Sequence, residues 1–88
     1  MKTNYATKEF STTDLGLACA LVTLGYVIER LDRDNPSRVL FVFSPQGGLE
    51  EDAESYWNDQ LSVNPQAFFN NSKRIKNQIY SGLGNADR

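Results

Sequence analysis

The chain has no histidine and only one cysteine in 88 residues. Without histidine there is no Ser-His or Cys-His dyad and no histidine-ligated metal site. The one thiol, Cys19, can form neither an internal disulfide nor a thiolate zinc site, and it fits a reducing compartment. Long apolar runs are missing too. The longest, roughly Leu15 to Leu24, is too short to span a bilayer, and the N-terminus lacks the basic-then-apolar order of a secretory signal. We therefore expect a cytoplasmic protein without membrane association, in which the sequon Asn70-Asn71-Ser72 is a chance occurrence. Basic residues are few, nine against eleven acids, and the net charge is −2. That balance argues against a general polyanion binder but leaves room for a local basic patch.

What is present suits one small soluble domain: 40% of residues are apolar and 23% charged. The central feature is a β-hairpin. Its arms, Tyr26–Leu31 and Arg38–Phe43, flank the turn-rich segment Asp32-Arg33-Asp34-Asn35-Pro36-Ser37. Val39-Leu40-Phe41-Val42-Phe43 is apolar on both faces, which marks a strand inside a sheet. Pairing Leu31 with Arg38 would put Tyr26, Ile28, Arg30, Val39, Phe41 and Phe43 on one face. The other face would then carry Val27, Glu29, Leu31, Arg38, Leu40 and Val42.

The remaining elements follow from local signals. A short first strand is expected near Ala6–Phe10. Ser11-Thr12-Thr13-Asp14 then opens a helix over about Thr13 to Leu24, and Gly25 stops it. That helix has almost no polar face, so it should be buried on more than one side, with Cys19 a small core residue and not a nucleophile. A second helix from Leu49 carries Leu49, Ala53, Tyr56, Trp57 and Gln60 at amphipathic spacing. Asn64-Pro65 caps and starts a third helix to about Tyr80, weakened at Asn70-Asn71-Ser72, with a tail from about residue 81 expected to fray. The order β-α-β-β-α-α predicts an α+β domain: a small antiparallel sheet built on the hairpin, with helices packed on it.

Charge is segregated along the chain. Leu49 to Gln60 holds five acids and no base, whereas Leu61 to Arg88 holds four bases against Asp87. The bland explanation is that the two helices lie side by side and attract. The sharper one starts from Phe69, Lys73, Lys76 and Tyr80, which fall at i, i+4, i+7 and i+11. Such an aromatic–basic stripe, with Arg74 beside it, suits phosphate neutralisation and base stacking on DNA or RNA. Its structural alternative has Phe69 and Tyr80 at the core margin, with lysine stems lying over them. Phe68, Ser72, Ile75 and Ile79 form the neighbouring, core-facing stripe.

Other candidates are weaker. Arg30, Arg33 and Arg38 are cancelled by Glu29, Asp32 and Asp34 in a self-paired turn. Gly47-Gly48 before a helix imitates a phosphate loop, but Glu50, Glu51 and Asp52 would repel the ligand and no GK[ST] lysine follows. The acidic cluster diverges along one helix, so it is not a metal site.

Taken together, Thr13-Asp14-Leu15, Gly25, Asn35-Pro36-Ser37-Arg38-Val39, Phe41-Val42-Phe43 and Tyr56-Trp57-Asn58 form a recognisable set. With Leu61, Val63-Asn64-Pro65, Phe68-Phe69, Lys73, Ile75-Lys76 and Ile79-Tyr80, it resembles a family of small uncharacterised domains from bacterial, archaeal and phage-related genomes. The resemblance implies a stand-alone domain, of phage or mobile-element origin, and transfers no activity and no functional residues. No catalytic residue, cofactor or metal is expected. Two non-enzymatic readings remain. One is a nucleic-acid-associated module using Phe69, Lys73, Arg74, Lys76 and Tyr80. The other is a protein-interaction or homodimerising module using Val27, Leu31, Leu40 and Val42 on the second hairpin face.

Overall fold

The computed structural model describes residues 8–35 and 37–85, with side chains described up to Ser81. Three strands, β1 (Phe10–Thr12), β2 (Ile28–Asp32) and β3 (Leu40–Phe43), form an antiparallel sheet in the order β1-β3-β2. Three helices accompany them: α1 (Leu15–Thr23), α2 (Leu49–Trp57) and α3 (Pro65–Asn85). The β-α-β-β-α-α order and the α+β class are those expected, with β3 as the central strand.

β1 lies later than expected. Phe10, Ser11 and Thr12 pair with Phe43, Val42 and Phe41, and the Phe10 ring meets Phe43 edge-on at 6.4 Å. That aromatic contact draws Ser11 and Thr12 into the sheet rather than into a helix start. The expected Ala6 and Thr7 lie outside the described residues. Asp14 alone caps α1, accepting from the Leu17 N–H at 3.1 Å.

The hairpin register also differs from expectation. Leu31 lies opposite Phe41 and Asp32 opposite Leu40, while Ile28 lies opposite Phe43. One extra residue, Glu29, bulges between Ile28 and Arg30, and a one-residue slip exchanges the faces of everything beyond it. Leu31 therefore joins Phe41 and Phe43 on the core face, and Arg30 moves to the outer face opposite Val42. The reason is burial: with Phe41 and Phe43 both in the core, the bulge lets Ile28 and Leu31 pack there together. The turn arginines are not paired with the turn acids either. Asp32 accepts from the Asp34 N–H and Asn35 from the Ser37 N–H, so these side chains hold the turn backbone instead.

α1 is the hub. Leu17 to Leu21 are buried in an unbroken run, as an all-apolar helix requires. It ends in a Schellman motif: Tyr26 N–H bonds the Leu21 carbonyl, Gly25 N–H bonds that of Val22, and Gly25 sits at φ 109°. α2 docks Leu49, Ala53 and Tyr56 from one side, with the Tyr56 hydroxyl occupying the space a side chain at Gly16 would need. α3 docks from another side through Ile75, Phe68 and Ile79, and Asn71 donates to Thr23 Oγ1 at 3.1 Å.

Because each helix spends its apolar stripe on α1, the acidic and basic helices are not joined by ion pairs. Among the described residues the ion pair is Arg30–Glu9. Trp57, expected in the α2 stripe, is 59% exposed, because the helix stops there. Asp59 at φ 63° closes a second Schellman turn, with Gln60 N–H on the Ser55 carbonyl. α3, by contrast, runs five residues past the expected Tyr80. Its Asn70-Asn71-Ser72 segment is helical, with Asn71 pinned to α1.

Candidate nucleic-acid interface on the third helix

Asn64 and Pro65 start α3 as their chemistry dictates. The Asn64 side chain accepts from the Ala67 N–H at 2.9 Å, and Pro65 needs no partner at the first helical position. Between Pro65 and Asn85 there is no acidic residue, against Lys73, Arg74 and Lys76. Ile75 is buried while Phe68 and Ile79 pack on the core, which turns the neighbouring stripe outward. Phe69 is 60% exposed and Tyr80 66% exposed, so neither ring belongs to the core margin. Lys73 Nζ lies 5.1 Å from the Phe69 ring centre, a cation–π contact worth about 0.5–1 kcal/mol at an exposed site. The ring thus carries a cation beside it and keeps much of its surface open.

Arg74 does not join that stripe. At 100° per residue it lies about a third of a turn from Lys73, on the flank that faces the start of β2. A guanidinium nitrogen of Arg74 donates to Asn71 Oδ1. Asn71 in turn donates to Thr23 Oγ1, and the Thr23 hydroxyl donates to the Cys19 carbonyl at 2.7 Å. The guanidinium is therefore held by a relay into α1. It stands over a cleft of about 260 Å³ lined by Val22, Tyr26, Val27, Ile28, Ile75 and Gln78. Neither Thr23 nor Asn71 carries a sequence signal for this role, since the relay exists only once α3 lies against α1.

The second hairpin face is divided up. Leu31 is half-buried against the core, Leu40 is half-buried and Val27, just before β2, is 60% exposed. Val42 is buried although it faces away from the helices. Arg30 on β2 and Glu9 beside β1 meet at 3.0 Å on opposite sides of β3, so their ion pair bridges the central strand on the Val42 face. The Arg30 guanidinium holds the Glu9 carboxyl below the usual carboxylate range.

Elsewhere the chemistry is quiet. Cys19 is buried, and desolvation pushes its thiol up, opposed by a bond from Ser72. A groove of about 540 Å³ beside Gly47-Gly48 is lined by Lys8 and Phe10 but also by Glu50 and Glu51, which disfavour an anion. Among the described residues no cluster of three metal-ligating side chains forms, and no helix is long and apolar enough to cross a membrane.

The family model for a domain of unknown function, DUF5659, matches residues 7–81, and the chain belongs to that family. No curated protein and no solved structure matches it.

Proposed function

We propose that this DUF5659 domain is a small non-enzymatic nucleic-acid-associated binding module, working in the cytoplasm and of phage or mobile-element origin. The origin rests on the family resemblance alone. The binding reading rests on one observation above all. An acid-free helix presents two open rings, Phe69 and Tyr80, with Lys73 and Lys76 between them. Rings stack on bases without regard to sequence, and ammonium groups neutralise phosphates, so the module would bind with little sequence preference. A mobility-shift assay with labelled DNA and RNA at low salt tests it. The expected shift disappears in the Lys73→Ala/Lys76→Ala double variant and weakens with salt at a logarithmic slope of roughly −2 to −3, as about three phosphate contacts dictate. No shift with either nucleic acid at low salt would sink the reading.

A second reading, self-association or another protein partner, is favoured by the outer sheet face, which the helices leave to the Arg30–Glu9 pair because they pack on the Phe41/Phe43 side. On that side Leu40 is half-buried and Val27, just before β2, is exposed. A monomer mass by light scattering at high concentration counts against a homodimer.

A further inference from the structure

The cleft under Arg74 has features that the outward stripe does not use. Its walls are aliphatic apart from the Gln78 carboxamide and Tyr26, and the Tyr26 hydroxyl is engaged elsewhere with Asp52. Its volume is below the range of pockets for drug-sized ligands, which leaves space for a single ring. No acid lines it. Above it stands a guanidinium fixed by Asn71, and bonded to no acid among the described residues. An apolar slot beneath a pre-oriented, planar donor fork is complementary to a flat ring with an anion attached.

We propose that this cleft takes one unstacked base of a single-stranded nucleic acid, with Arg74 on the adjoining phosphate. The inference rests on the nucleic-acid reading above and sharpens it to single strands. Lys73 and Arg74 flank the outer crest of α3, where Asn70 and Asn77 are exposed and uncharged. A strand crossing that crest meets Arg74 and the cleft on one side, and Lys73 with Phe69 on the other. Stacked bases of a duplex cannot enter a one-ring slot without being flipped out, so a duplex gains only the phosphate contacts.

The test is fluorescence anisotropy with a labelled single strand of about 12 nucleotides, the matching duplex, and an abasic strand of the same length. The wild type should bind the single strand roughly tenfold more tightly than the duplex or the abasic strand. Arg74→Ala, and Val27→Glu at the exposed rim, should each remove most of that preference, weakening single-strand binding several-fold more than duplex binding, which loses at most one phosphate contact. Circular dichroism of each variant checks that the fold is retained. Equal binding of all three probes, or a single-strand preference untouched by both substitutions, overturns the cleft assignment while the module reading stands. Failure of every probe to bind the wild type overturns both. Arg74-dependent capture of an acidic peptide in place of the oligonucleotide assigns the cleft to a protein ligand and overturns the proposal.

Discussion

The Gln46 side chain pairs with the backbone of Val27 in both directions. Val27 N–H donates to Oε1 at 2.9 Å, and Nε2 donates to the Val27 carbonyl at 3.2 Å and to the Ser44 carbonyl at 2.8 Å. A carboxamide here stands in for a strand peptide and extends the β2–β3 pairing beyond Ile28 and Phe43. Gln46→Glu keeps one acceptor but sets a carboxylate against two carbonyls. It should cost about 1–3 kcal/mol at neutral pH and recover part of that loss when acid protonates the new carboxyl. Urea midpoints at neutral and acidic pH, each against the wild type, measure both effects. A pH-independent difference would contradict this account.

Tyr26 donates its hydroxyl to Asp52 Oδ2 at 2.6 Å, joining the segment after α1 to the first turn of α2. That bond first, then burial and the negative charges of Asp52 and Glu51, push its phenol up to about 12 from the ordinary 10.0. Because the folded value lies above the unfolded one, the stabilisation is complete below pH 10 and is lost as pH rises towards 12. Tyr26→Phe should therefore lower stability by about 1 kcal/mol near neutrality, a figure reduced for solvent screening, and by progressively less above pH 10. Denaturant midpoints of the two proteins across that range are the check.

Gly16 leaves room for the Tyr56 hydroxyl between α1 and α2. Alanine gains helix propensity there, but its methyl displaces the ring, so Gly16→Ala should destabilise by about 1 kcal/mol net. In a Tyr56→Phe background the obstructing hydroxyl is gone, and the same substitution should be neutral or stabilising. A double-mutant cycle from thermal melts reads the difference. Additive effects would show that the contact is not the constraint.

Asp59 occupies a left-handed position at φ 63° after α2, where its charge also faces the negative end of the helix. Asp59→Gly should raise stability by roughly 0.5–1 kcal/mol and Asp59→Ala should not. Urea unfolding of the two variants decides between them.

Much of the fold could be read locally. Helical spacing alone marks Phe68, Ser72, Ile75 and Ile79 as the core-facing stripe, and their burial agrees, but it leaves Phe69 and Tyr80 open between an outward stripe and the core margin. Gly25 stopped α1 where only a residue tolerant of positive φ fits. The strand register was not readable in this way. Nothing around Glu29 marks a bulge, which arises because Ile28 and Leu31 must share the core with Phe41 and Phe43. Trp57 matched the α2 stripe by spacing and missed the core because the helix ended at it.

The sequence by itself determined the elements, their order and the core-facing stripe of α3, since caps, breakers and periodicity act within a few residues of chain. Only the tertiary structure decided that Phe69 and Tyr80 are exposed, that Arg74 stands over a cleft, that Val42 is crossed by Arg30–Glu9, and that Leu31 packs against the core. Each of these depends on segments distant in sequence meeting around α1 and β3, and contacts of that kind leave no periodic trace in the chain.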